Sequence, residues 1–200
     1  DSTEEGKILR LKQQYFFVCA GLRKIINEHK KTYQTLDNFH EKVSLHINDT
    51  HPTLIIPELM RVLIDEEGFG WDKAWEITTK TCAYTNHTIL AEALEKWPVK
   101  YIKLLLPRIY LIIEEIDKRF KQELIDRYGE EDERVMKLAI INNDLIHMAH
   151  ICIVASFSVN GVAELHTKIL KEVEMKDFDD FFPNKFNNKT NGITQRRWVY

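Results

Sequence analysis

Cysteine is scarce. Cys19, Cys82 and Cys152 are an odd number, none stands in a CxxC pair, and each sits in an apolar context. That excludes a disulfide framework and predicts reduced core residues in a cytoplasmic protein. Long apolar runs are missing too: no stretch approaches the roughly 18 residues of a membrane span, and no signal peptide is visible. Neither charge sign dominates. Against 28 Lys and Arg stand 31 Asp and Glu, a net charge of -3 with no basic stripe, which argues against nucleic acid or an acidic membrane surface as partner. There is no nucleophile elbow and no zinc helix motif. "VNGV" has a single glycine and cannot make the phosphate-cradling turn of GxGxxG. No acid/base pair of carboxylates is evident.

The rest is ordinary globular material. Apolar residues make up 44% and charged residues 30% of the 200 positions, enough for a real core in one domain or two small ones. Apolar positions step by three and four from Ile8 to Ile25, predicting a long amphipathic helix over 7–30. A second such helix carries Ile109 to Tyr128 and ends at Gly129. "KVSLHIN" alternates and predicts a strand over 43–47. Pro57 suits a first helical turn in a helix that Gly68 stops, and Asp72 is placed as the N-cap of the next. "ILAEALEKW" reads as helix up to Pro98, and "VNGVAELHTKILKEV" as helix. "LAIINNDLIHMAHICIVASF" fits strand or helix. The sum is a helix-rich α/β class, with the long helices expected to cover a sheet. The start at Asp1 and the apolar end at Trp198, Val199 and Tyr200 predict a piece of a larger protein.

Four polar stretches break this pattern: "NDTHP" (48–52), "YTNHT" (84–88), "VNGVAELH" (159–166) and "NKTNG" (188–192). Short polar groups at the ends of α/β elements are where ligands bind, and Asn, Thr, His and Asp read neutral hydroxyl groups. Structural alternatives stay open for each. Asp49 can serve the turn before Pro52, and Asn191–Gly192 is an ordinary turn pair. His51 and His87 can be satisfied structural histidines. His147 and His150 have metal-like spacing but no evident third ligand. His166 reads as a helix-face residue, and Arg196 with Arg197 as a solvated pair.

Taken together, "GKILRLKQQYFF", "INDTHPTLIIPELMRVL", "DKAWEITTKTCAYTNHTILAEALEKWPV", "HMAHICIVASFSVNGVAELH" and "NKFNNKTNGITQRRW" resemble the glycogen, starch and maltodextrin phosphorylases, in order and spacing, over nearly the whole chain. The resemblance implies part of the amino-terminal, Rossmann-like domain of a two-domain, glycosyltransferase-type phosphorylase. The carboxy-terminal domain, with the lysine that holds pyridoxal phosphate, is not in this chain. The implied activity is phosphorolysis of the non-reducing terminal glucose of an α-1,4-glucan, with inorganic phosphate as co-substrate and α-glucose 1-phosphate as product. In that family the cofactor phosphate does the acid/base work, which accounts for the missing carboxylate pair. The full-length enzyme would be a homodimer.

Residue by residue, the resemblance gives His87 in "TNHT" contact with the sugar at the reacting subsite. Asn191 in "KTNG" binds glucose hydroxyls. Asp49 and His51 in "NDTHP" line the channel beside the anomeric carbon, with Arg10 and Glu95 further along it. Asp1 falls where the gating loop would be. No residue is assigned to metal or to the cofactor. Gln195 replaces the usual proline of "NGITPRRW", and Phe157 stands where many members have His. "IINEHKK" lacks the arginine pair with which vertebrate members read regulatory phosphate. The alternative readings are a non-catalytic glucan-binding module derived from this family and an unrelated metal-dependent hydrolase built from Asp49, His51, His87 and His150. The length of the matching strings disfavours the second.

Overall fold

The computed structural model describes residues 3–198. The expectations for Asp1, Val199 and Tyr200 fall outside the described residues. The chain opens with α1 (Glu4–Tyr33), whose Thr3 side chain caps the first turn by accepting from Gly6 N at 3.0 Å. A short α2 (Phe39–Lys42) leads into β1 (Leu45–Asn48). Next come α3 (Ile55–Arg61), which runs on into a π-helical turn (Val62–Glu66), α4 (Trp71–Thr81) and β2 (Cys82–Thr85). After a 3-10 turn (Ala91–Ala93) follow β3 (Lys96–Pro98), α5 (Val99–Leu105), α6 (Pro107–Tyr128) and α7 (Glu133–Leu138). Then come β4 (Ile141–Asn142), β5 (Leu145–His147), α8 (Met148–Ala155) and β6 (Ser158–Gly161). The chain closes with α9 (Glu164–Ile169) and its π-helical extension (Leu170–Glu174), α10 (Lys176–Phe181), β7 (Phe186–Asn188) and α11 (Gln195–Trp198).

Four strands form a parallel sheet in the order β1-β2-β6-β7. Parallel strands need crossovers, and helices supply all of them here. A small antiparallel sheet, β3-β5-β4, stands beside it. The helix-rich α/β class is therefore observed.

The two long helices depart from their expected place. α1 packs chiefly on α3, and α6 packs on α5, α3 and α7. The short α3 buries Ile56, Leu59 and Met60 completely, and a helix buried on all sides needs partners on more than one face. The long helices thus form a layer over other helices. Beneath α6, Asp117 is buried and its Oδ1 accepts the backbone N–H of Ile140 at 2.8 Å and of Ile141 at 3.0 Å, while Lys121 pairs with Oδ2 at 2.7 Å. One carboxylate so ties the small sheet to the helix layer.

Other expectations are corrected locally. The N-cap of α4 is Gly70, with Asp72 inside the first turn, where an acidic group still suits the helix dipole. Residues 89–97 are not a helix: a 3-10 turn gives way to β3, because Trp97 pairs with Ile146 across the small sheet and is buried there. "VNGV" is strand and turn, not helix. The ambiguous apolar run resolves into the β4–β5 hairpin and α8, whose apolar residues are buried on every side. Cys82 and Cys152 are core residues, whereas Cys19 is only half-buried.

Candidate active site

All four parallel strands run in one direction, so their carboxyl ends share one edge. That edge collects the polar strings. β1 ends at Asn48 and turns through Asp49, Thr50 and His51. β2 ends at Thr85 before Asn86 and His87. β6 carries Asn160, and β7 ends at Asn188 shortly before Asn191. Ligands of open α/β sheets bind outside the carboxyl ends of the strands.

Side chains bridge the strand ends. Asn48 Oδ1 and His87 Nε2 are in hydrogen-bond contact. Because the carboxamide oxygen only accepts, Nε2 is the protonated nitrogen. Thr85 donates its hydroxyl to Asn160 Oδ1 at 2.7 Å, and His46 Nε2 meets the same Thr85 oxygen. Asn86 is fully buried: its backbone N–H reaches Asn160 O at 2.9 Å, and its amide donates to the Tyr84 hydroxyl at 3.1 Å. Burial pushes the Tyr84 phenol well above its usual range, so it stays a neutral partner.

Asp49 sits at φ +66°, a left-handed conformation that Asp tolerates better than most residues. Its Oδ1 accepts the Thr50 N–H at 2.7 Å, and its own N–H donates to Thr85 O at 3.0 Å. Asp49 therefore serves this turn through Oδ1, and among the described residues no hydrogen bond engages its Oδ2.

A second node centres on Glu95. Its Oε2 accepts the Thr50 hydroxyl at 3.0 Å, while Oε1 accepts Gln14 Nε2 at 3.0 Å and the Trp97 indole N–H at 3.1 Å. Arg10 approaches Oε1 at 3.5 Å. Arg10 and Gln14 are one turn apart on α1 and reach the same carboxylate. A cavity of about 510 Å³ opens there, lined by Arg10, Glu95, Lys96, Trp97 and Leu145 among others.

The structure thus brings Asp49 and His87 to one sheet edge and joins that edge to Arg10 and Glu95 through Thr50. His51 is exposed on the turn after β1. Asn191 is exposed beyond β7, its backbone N–H held by Val162 O at 2.9 Å. Asn48, Thr50, Thr85, Asn160, Gln14 and Trp97 were not singled out from sequence. Four of the six lie in or beside the quoted polar strings, whereas Gln14 had only its spacing from Arg10 as a signal.

His147 and His150 lie away from this edge. Their rings sit 4.7 Å apart beside the small sheet. Burial, with His147 nearby, lowers His150 to about 4, and its Nδ1 donates to Ala139 O at 2.8 Å. Among the described residues no three His, Cys, Asp or Glu side chains converge as a metal would require. No helix among them is long and apolar enough to cross a membrane. Arg196 and Arg197 are exposed in α11.

A family model described as carbohydrate phosphorylase matches residues 1–200. The chain is 57% identical over 199 residues to the glycogen phosphorylase of Bacillus subtilis (strain 168). It is 51% identical over 208 residues to the alpha-glucan phosphorylase, H isozyme, of Triticum aestivum and 50% identical over 210 residues to the muscle-form glycogen phosphorylase of Oryctolagus cuniculus. Each alignment covers 100% of this chain and 25% of the relative, so the chain spans about a quarter of the length of these curated relatives. Matched from end to end by the family and by relatives from bacteria, plants and animals, the chain belongs to the carbohydrate phosphorylase family.

Proposed function

We propose that this chain forms the glucan-facing part of an α-1,4-glucan phosphorylase. In this reading residues 1–200 belong to a Rossmann-like amino-terminal domain of a cytoplasmic, homodimeric enzyme. The reaction is phosphorolysis of the terminal glucose of glycogen, starch or maltodextrin to α-glucose 1-phosphate. The carrying observation is the row of short, neutral polar side chains at the carboxyl ends of four parallel strands, in a chain 57% identical to a glycogen phosphorylase.

The chemistry of the row fits a sugar. Asn, Thr and His donate to and accept from hydroxyl groups without carrying net charge. His87 and Asn191 would hold the reacting glucosyl unit, and Asp49 and His51 would face its anomeric carbon. Arg10 and Glu95 would line the approach. Positive charge develops at that carbon as the bond breaks, and fixed dipoles aimed at it cost no reorganisation at the moment of reaction.

Pyridoxal phosphate, whose phosphate supplies acid/base chemistry in this family, does not fit the residues described. Burial lowers the Lys185 ammonium to about 8, as a Schiff-base lysine needs, yet it is committed to Ile153 O at 2.9 Å and Val154 O at 3.3 Å, over the Phe182 ring. It also precedes β7, at the end of the sheet opposite His87. In this reading another part of the enzyme holds the cofactor. The full-length protein, incubated with glycogen and inorganic phosphate, is expected to release α-glucose 1-phosphate. Glucan binding without release would favour a non-catalytic module.

A further inference from the structure

We propose that Asn48 is a positioning residue for His87, a step that rests on the phosphorylase reading above. β1 and β2 are paired with Asn48 opposite Thr85, so His87, two residues past the end of β2, reaches back across the seam to Asn48. Both side chains are exposed. Packing therefore does not fix the imidazole, and the contact from Asn48 Oδ1 to Nε2 does. A carboxamide oxygen cannot donate, so this contact selects the tautomer with hydrogen on Nε2. In that tautomer the lone pair is at Nδ1, which has no hydrogen-bond partner among the described residues. That nitrogen is left as an acceptor for a hydroxyl of the glucosyl unit. Without Asn48, the ring would exchange tautomers and rotamers, and only a fraction would present Nδ1 to the sugar.

The test uses the full-length enzyme. Asn48→Leu keeps the size of the side chain and removes the acceptor, and Asn48→Asp keeps an acceptor in place. Loss of one orienting hydrogen bond predicts a fall in kcat of about three- to tenfold for Asn48→Leu, with KM for phosphate unchanged and the thermal midpoint near that of wild type. Asn48→Asp is expected to recover most of the loss. In a His87→Ala background, Asn48→Leu should cost nothing further, because there is no ring left to orient. Full kcat in Asn48→Leu, or losses that simply add in the double variant, would overturn the positioning role while the enzyme itself remained active. Absence of glucose 1-phosphate release by the wild type would instead overturn the phosphorylase reading and this inference with it.

Discussion

Thr50, buried in the turn after β1, donates its hydroxyl to Glu95 Oε2 at 3.0 Å across 45 residues of sequence. The other oxygen of that carboxylate is held by Gln14 and Trp97. Glu95 is thereby fixed from α1, from the strand-end turn and from β3 at once. Its orientation depends on the turn that also presents Asp49 and His51.

Replacing Thr50 with Val keeps the shape and removes the donor. A hydrogen bond to a charged group is worth about 1.5–3 kcal/mol, part of which the Gln14 and Trp97 donors retain. If Glu95 lines the glucan path, Thr50→Val should raise KM for glucan by about three- to tenfold and leave kcat within about twofold. Steady-state kinetics with maltodextrin decide it, and an unchanged KM would separate Glu95 from glucan binding.

The long helices were legible because their apolar spacing is sustained, and each was found close to its expected bounds. What they pack against was not, since the same stripe fits a sheet or a buried helix. The error at 89–97 has a similar cause. Leu90, Leu94 and Trp97 fit a helical face, yet strand pairing with Ile146 decides the outcome, and that partner lies far along the chain. In the site, "NDTHP" stood out as odd, but the pairings Asn48–His87 and Thr50–Glu95 join residues 39 and 45 positions apart. Periodicity carries no signal for such contacts.

Gly161 permits a close approach. A methyl group at its Cβ position would sit 2.4 Å from Thr167 Oγ1, 2.8 Å from His166 Nδ1 and 3.0 Å from Thr167 Cα. The backbone of α9 cannot yield as a long side chain could. Overpacking of this kind costs about 1–3 kcal/mol. Gly161→Ala should therefore lower the unfolding free energy by that amount and displace Asn160, whose carbonyl holds Asn86. Denaturant titration measures the first effect, and a stability equal to wild type would contradict it.

Glu66 gives the protein an acid-sensitive pair. Arg23 binds its two oxygens at 2.7 Å, Arg61 adds a contact at 2.8 Å, and the carboxyl is lowered from 4.5 to about 2. A carboxyl lowered on folding stabilises the protein above its unfolded value, and that gain is lost as pH falls from about 4.5 through about 2. The shift alone corresponds to about 3 kcal/mol, but the side chain is 31% exposed. Solvent screening brings the expected contribution to about 1 kcal/mol. Glu66→Gln should melt below wild type at pH 7, and the gap should close between pH 4.5 and 2. A gap independent of pH would exclude the ion pair as its source.

His87 and His147 provide the sharpest comparison, because the residue type is the same and the surroundings differ. His87 stands exposed at the carboxyl edge of the parallel sheet, bridged to Asn48. His147 ends β5 in the small sheet, where burial and nearby Lys96 lower its pKa. If His87 bonds the glucosyl unit as charge develops at the anomeric carbon, its loss weakens the transition state more than the ground state. A bond of that kind is worth roughly 1–3 kcal/mol, and each ~1.4 kcal/mol is tenfold in rate. His87→Ala is then expected to lower kcat by about one to two orders of magnitude while KM for phosphate moves little. His147→Ala removes a half-buried ring from the small sheet, so it should lower the thermal midpoint and leave kcat per folded molecule nearly unchanged. Parallel assays of the two full-length variants, normalised to folded protein, separate the outcomes. Full kcat in His87→Ala would remove it from the reacting subsite, and with it the reason to place the glucosyl unit over the ends of β1 and β2.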